Sequence, residues 1–349
     1  MKIEVPIPNN VHFTPRTLSG FIDTINKYKD HISCLYFPLG HVDEDIDLWG
    51  IRAPQFVYPE GHRDKQAVIN WENAVTQIIG YTGLPVKVLM NNIYSPDFYK
   101  HESWTKILKK LDYYRRKFPV LAVTLADVLP IPQLSAEGIL ISLSTNSHNS
   151  LQELDMFLLM YGDACLHSVV LQRDLNRNPK KLQHYLSKHP ELEQKLVLMV
   201  NEGCANACIY KNSGDVEISL SDVKSGHNVI HTIGCGLLAV NRPWLFLTSQ
   251  FLTKDVLEKH YPFIHEIKLA GRNLGSSNIK YMLQHYVDGE DKLLSELLNV
   301  SANDGLKVSD LTEEYWKDVL SCNKECASCR QCETHYQQAI KLNSLGKQE

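Results

Sequence analysis

KLVLMVNEGCANAC, residues 195–208, joins an unbroken apolar run to an amide, a carboxylate, a glycine and two thiols. A short run with no polar interruption suits a strand buried on both faces, as in a parallel sheet. A buried strand that stops at Asn201, Glu202, Gly203 and Cys204 presents reactive groups the way a parallel barrel does at its C-terminal mouth. The competing reading is a strand end whose cysteines are small packing residues.

Seven further apolar runs share the pattern: Lys2–Ile7, Ile32–Pro38, Pro85–Met90, Val120–Leu125, Gly138–Leu143, Ser168–Leu171 and Glu266–Leu269. Most stop at polar residues, among them Asn91 and Asn92, Asp127, Asn146, Arg173 with Asp174, and Arg272. Apolar residues at three- and four-residue spacing mark helices between them, at Leu18–Tyr28, Ala67–Ile79, Trp104–Phe118, Leu151–Tyr161, Pro179–Lys188 and Lys254–Tyr261. Asn178 before Pro179 reads as a helix cap, and Thr253 stands where a cap for the last of these helices belongs. Eight alternating strand–helix units predict an α/β fold, a TIM-type (β/α)8 barrel over residues 1–273. A doubly wound open sheet is the alternative, without a glycine-rich phosphate loop after any strand. Trp49–Arg63 reads as a loop over the mouth, and about 210–242 as an insertion with a small β element. Residues 274–349 read as a helical, cysteine-rich C-terminal extension.

Composition narrows the function. A net charge of −4 with dispersed basic residues does not suggest a strongly basic nucleic-acid face; the local cluster Lys109, Lys110, Arg115, Arg116 and Lys117 is either such a patch or, the favoured reading, a solvated helix face. No apolar run approaches the ~18–20 residues of a membrane-spanning helix, and the N-terminus lacks a secretory layout, so a cytoplasmic protein with no membrane association is expected. In a reducing compartment nine cysteines point to metal or redox chemistry rather than disulfides.

The strongest local signal is CNKECASCRQC, which places Cys322, Cys326, Cys329 and Cys332 within eleven residues of polar sequence. Zinc usually takes its four thiolates from two separated knuckles. Four ligands in one short segment suit a cubane with more widely spaced corners, so a 4Fe-4S cluster is expected here, with zinc as the alternative. Cys322, Cys326 and Cys329 also match the CxxxCxxC of radical S-adenosylmethionine enzymes, but lie near the C-terminus, with Cys332 available as a fourth ligand. A second set, Cys204, Cys208 and Cys235 with Cys34 or Cys165, either holds another cluster or completes a single site with the C-terminal set. Glu202 serves either as a general acid or base or as a cap. Arg173 and Arg272 either clamp a carboxylate or pair with Asp174 or another acid. His227 and His231, four apart in the insertion, are a weaker metal pair.

VVLQRDLN, residues 169–176, and HEIKLAGR, residues 265–272, resemble two strand-and-loop segments of the peptidase U-thirty-two family, with VNEGCANAC where that family carries a cysteine-bearing strand. The similarity spans about residues 139–272. It implies a TIM-type barrel with a cysteine-held 4Fe-4S cluster. It also implies oxygen-independent hydroxylation of ubiquinone precursors or RNA bases, with prephenate as oxygen donor. Carried over position by position, Arg173 and Asp174 stand at the family's Arg-Glu, Arg272 at its final arginine and Cys204 at its first cysteine. Asp174 and Ala270 depart from the family's glutamates, its later cysteine motifs are absent, and the Cys322–Cys332 set lies outside its pattern. The expected function is therefore iron–sulfur-dependent, redox or hydroxylation-type modification of an RNA base or small organic substrate. The alternatives are a metal-stapled, non-catalytic barrel serving a protein partner and a metal-dependent peptidase, the latter without an HExxH motif.

Overall fold

A computed structural model describes residues 1–9, 13–42, 46–48, 65–91, 101–147, 149–206, 208, 241–272, 274–298 and 305–345. Cys235, the insertion up to residue 240, His227, His231, Asn92 and Trp49–Arg63 lie outside the described residues.

Eight parallel strands close into a barrel: β1 (Lys2–Pro6), β2 (Ile32–Pro38), β3 (Val86–Met90), β4 (Val120–Leu125), β5 (Ile141–Leu143), β6 (Leu166–Val170), β7 (Leu196–Met199) and β8 (Glu266–Lys268). Each strand pairs with the next, and β1 closes on β8 with Lys2 opposite Glu266 and Glu4 opposite Lys268. This is the (β/α)8 arrangement the apolar runs predict. The KLVLMV run supplies β7, seated between β6 and β8.

The helices between strands are α1 (Pro15–Lys27), α2 (Lys65–Thr82), α3 (His101–Lys117), α4 (Ile131–Ala136), α5 (Leu151–Tyr161), α6 (Pro179–Lys188) and α7 (Lys254–His260). Local sequence sets their ends. Thr14 and Thr17 form a capping box before α1, Ser150 and Glu153 do so before α5, and Asn178 caps α6 with Pro179 in its first turn. Thr253 occupies the cap position of α7, but its side chain makes no capping bond; the Nε2 of buried His285 accepts from the Lys254 amide instead (3.4 Å). The Gly138–Leu143 run becomes a strand only from Ile141, because Gly138 adopts φ +67° to end α4 and Ile139 N–H turns back to the Leu134 carbonyl (3.0 Å). A hairpin of Gly40–Val42 with Ile46–Leu48, which the sequence does not announce, follows β2.

Alternate strand residues divide two environments. Ile3, Val5, Leu35, Phe37, Val86, Val88, Val123, Leu198 and Ile267 belong to the apolar layer packed beneath the helices. The other set, with Glu4, Cys34, Lys87, Ser142, Ser168 and Lys268, is buried yet largely polar. Its members are neighbours in register, Glu4 with both Lys268 and Cys34, and Ser142 with Ser168. The barrel interior is therefore a charged core, not the layers of branched side chains usual for this fold.

After β8 come α8 (Ser276–Leu283), a π turn (Gln284–Asp288) ended by left-handed Gly289, α9 (Leu294–Leu297), α10 (Glu313–Ser321), α11 (Cys326–Cys329) and α12 (Gln331–Leu345). α8 packs on α1, while α12 lies on a 3-10 helix, Pro243–Thr248, with Phe246 and Tyr336 edge to face at 6.2 Å. Asn201, at the end of β7, bonds the Ala270 backbone at both N–H and C=O and also donates to the Leu297 carbonyl (2.9 Å). This amide acts as a bolt between two strand ends and the chain beyond them. None of the described helices is long and apolar enough to cross a membrane.

Candidate metal centre and barrel mouth

Cys322, Cys326, Cys329 and Cys332 all line one cavity. On the barrel side its wall comes from Arg177 after β6, Asn206 after β7, and Trp244, Thr248 and Gln250 from the segment before α7; neighbours of the cysteines in the C-terminal extension line the other side. The sequence brings the thiols together through backbone geometry. Lys324 (φ +65°) and Arg330 (φ +55°) are the two non-glycine residues with positive φ among those described, and they flank α11 on either side. A left-handed conformation in a long side-chain residue is costly and persists where surrounding contacts enforce it. Here it folds an eleven-residue segment back on itself around the cavity.

The donor set has the chemistry of a metal centre. Burial, together with the neighbouring thiols, pushes Cys332 up to about 11 against the pull of Arg177. A metal ion bound here would take Cys332 as the thiolate and displace its proton. A single zinc ion with Zn–S bonds of about 2.3 Å would hold its sulfurs about 3.8 Å apart. Yet among the described residues one group alone, Glu4, Cys34 and Glu266, has three potential ligand atoms all within 4.8 Å of one another. No three of the C-terminal sulfurs are therefore drawn together to within 4.8 Å, a wider spread than the spacing around one zinc ion.

That tight Glu4–Cys34–Glu266 group is an ion-pair core instead. Both Glu4 oxygens are taken, one by Lys87 and the other by Lys268. Lys87 also donates to Ser168 (3.0 Å), which bonds Ser142 (2.6 Å), and Lys268 lies 3.7 Å above the Tyr36 ring. Burial would raise Glu4, but Lys268 and Lys87 outweigh it and hold the carboxyl at about 2. Burial drives Cys34 up to about 12, leaving it a thiol. Two ammonium groups on the wholly buried Glu4 carboxylate already supply the positive charge that a metal ion would bring.

A polar chain runs across the mouth from the cysteine cavity. Asn206 Nδ2 donates to Cys326 Sγ (3.5 Å), and its Oδ1 accepts from Gln250 (3.3 Å). Two residues upstream, Cys204 Sγ donates to Glu202 Oε1 (3.6 Å). The other Glu202 oxygen forms an ion pair with Arg173, whose Nη2 donates to Asn146 (3.4 Å). Loops after β5, β6 and β7 therefore bring Asn146, Arg173, Glu202 and Cys204 together. Cys208 is half-buried. Asp174 is exposed, and its backbone carbonyl accepts from Lys324. Arg272 is buried at the end of β8, where its carbonyl accepts from Asn9 N–H (2.8 Å). Gly271 before it adopts φ +126°, and a Cβ there would meet Leu274 at 3.0 Å.

Sequence reasoning passes over Arg177, Asn206, Glu4, Lys87 and Lys268. The one signal near Arg177 is its place beside the Asn178–Pro179 cap, which fixes where the loop must turn.

Fold and site define a parallel eight-stranded barrel with a thiol-lined cavity at its mouth. No protein-family model matches the chain, and no curated protein matches it. Among solved structures it is similar to the U32 peptidase Mk0906, with a TM-score of 0.48 and 13% identity over 78% of this chain and 93% of that one. It is also similar to an alpha-amylase from Lactobacillus plantarum, with a TM-score of 0.34 and 13% identity over 77% and 70% of the two chains. Neither assigns an activity; the fold rests on the strand pairing given above.

Proposed function

We propose that this chain is an iron–sulfur enzyme in which Cys322, Cys326, Cys329 and Cys332 hold a 4Fe-4S cluster beside a substrate site at the barrel mouth. The substrate class we favour is a small organic molecule or an RNA base, modified by redox or oxygen-independent hydroxylation-type chemistry. The observation that carries the reading is the convergence of four thiols from one short segment on a single cavity closed by barrel loops. Their spread beyond single-ion spacing favours a cluster over zinc. When bound, such a cluster supplies one-electron chemistry.

The chain's own groups supply recognition and proton handling. Arg173 presents a guanidinium already engaged by a carboxylate, so an incoming substrate carboxylate would exchange with Glu202 for the same bidentate donor. Glu202, released from Arg173, is then free to hold a proton beside Cys204. Arg272 and Asp174 stand as further candidates on position, and Cys204, Cys208 and Cys235 as a possible second ligand set.

The test is anaerobic purification with measurement of iron, sulfide, zinc and visible absorption. About four irons per chain with matching sulfide, a brown colour, and loss of both in Cys326→Ser with an unchanged far-ultraviolet circular dichroism spectrum support the reading. A value near eight would extend it to Cys204 and Cys208. A colourless protein holding zinc alone would replace it with a metal-stapled barrel that serves a protein partner.

A further inference from the structure

A guanidinium cannot shed its proton to escape burial, so a buried arginine requires an anion or an expensive substitute. Arg177 is 3% exposed. Its partners are all neutral: Nη1 donates to the Leu247 carbonyl (2.9 Å) and Nη2 to the Tyr315 hydroxyl (2.8 Å). The rings of Phe251, Tyr315 and Trp316 surround it at 5.2, 5.7 and 5.9 Å. Its Nε has no hydrogen-bond partner, and no carboxylate pairs with it among the described residues. Of the acids bordering the same cavity, Asp318 is engaged by His335 (2.9 Å) and Glu325 is exposed. Of the other cations lining the cavity, Lys324 donates to the Asp174 carbonyl, and Arg330 pairs with Glu333 (2.8 Å). The cavity that Arg177 lines is the one lined by Cys322, Cys326, Cys329 and Cys332.

We infer that Arg177 is the counter-cation of an anionic four-thiolate centre, and that it couples occupancy of that centre to docking of the C-terminal extension on the barrel. The inference rests on the reading above that the four cysteines hold a metal group. Four thiolates outnumber the positive charge of either a zinc ion or a 4Fe-4S core, so both centres would be net anions at this position. Arg177 leaves the barrel just after β6 and grips Tyr315 of α10. With the centre filled, the grip joins two oppositely charged parts; with it empty, the same grip keeps an uncompensated cation out of water. Arg177 is thus a positioning residue whose contribution changes sign with loading.

Comparison of Arg177→Met with the native protein, each in chelator-stripped and metal-reconstituted form, tests this. Tyr315 hydroxyl also donates to the Leu247 carbonyl (2.9 Å), so deleting the guanidinium leaves both groups paired. The stripped variant is expected to melt no lower than the stripped native protein. The reconstituted variant is expected to release metal to a chelator on the order of a hundredfold faster, as when one partner of a buried charge pair is removed. With an iron–sulfur centre its reduction potential is expected to fall, and Arg177→Lys is expected to restore most of the retention. Equal loss of melting temperature in both forms, or unchanged metal release, would overturn the inference. If Arg177→Met does not fold, equal retention by Arg177→Lys and Arg177→Gln overturns it instead. A native protein that takes up neither iron nor zinc would defeat the reading of the cysteines themselves, a result separate from any of these.

Discussion

Two regions of the molecule bury charge and resolve it in opposite ways. Inside the barrel, Glu4 is matched by Lys87 and Lys268, and the leftover protons go to Ser168, Ser142 and the face of Tyr36. At the mouth, Arg177 and four thiols face one cavity with no carboxylate engaging the guanidinium. The interior network is complete within the protein. On the proposed reading, a bound metal group completes the mouth. Perturbed groups alone do not mark a functional site, since both regions have them; the difference lies in whether the protein supplies every partner.

The largest expected effect breaks the closed network. Glu4→Gln leaves two lysines buried against a neutral amide and is expected to cost about 3–5 kcal/mol in urea unfolding. Metal content at the mouth should stay at the native level. Simultaneous conversion of Glu4, Lys87 and Lys268 to methionine should recover most of the loss, and failure to recover would mean the network does more than fill the barrel.

Acid sharpens the contrast next. His167 is held down to about 4, chiefly by burial and then by Lys87, so it is neutral in the folded state. Its contribution is present above its ordinary value of 6.5 and disappears as the pH falls through 4. Glu4, depressed from 4.5 to about 2, contributes above 4.5 and is lost as the pH approaches 2. Metal-free protein should therefore lose stability in two stages on acidification, and His167→Gln should flatten the first. A single step near pH 4.5 in both proteins would contradict this.

The smallest effect is the control. Lys259 pairs with Glu313 on the surface, where water screens the charges and both side chains are well exposed. Lys259→Ala should leave the unfolding midpoint unchanged, in contrast to Glu4→Gln.

Much of the architecture was legible in the sequence. Buried parallel strands announce themselves as unbroken apolar runs, and all eight fall within a few residues of those runs. The barrel interior was not legible. In KIEVPI, PVKVLM and EIKL one or two charged residues sit among aliphatics, and nothing local says whether Glu4, Lys87 or Lys268 faces water or a partner on another strand. Glu4 meets Lys268 only when β1 closes on β8, which is a property of the whole ring. At the mouth, the four C-terminal cysteines were visible because their spacing is local, and Glu202 and Arg173 because they end strands. Asn201 looks like one of that set but is consumed in joining β7 to β8. Arg177 was invisible for the reverse reason: its significance lies in lacking a carboxylate, which no sequence pattern records.

The closure of β1 on β8 also fixes an order of manufacture. The pairing that completes the ring joins Lys2–Glu4 to Glu266–Lys268, so the ring cannot close until all eight of its strands have been synthesised. The cysteine segment follows every one of those strands in the chain. Its cavity needs walls from Arg177, Asn206 and Trp244, which that ring positions. The proposed metal group is therefore expected to load last, since its four ligands are synthesised after every strand of the ring.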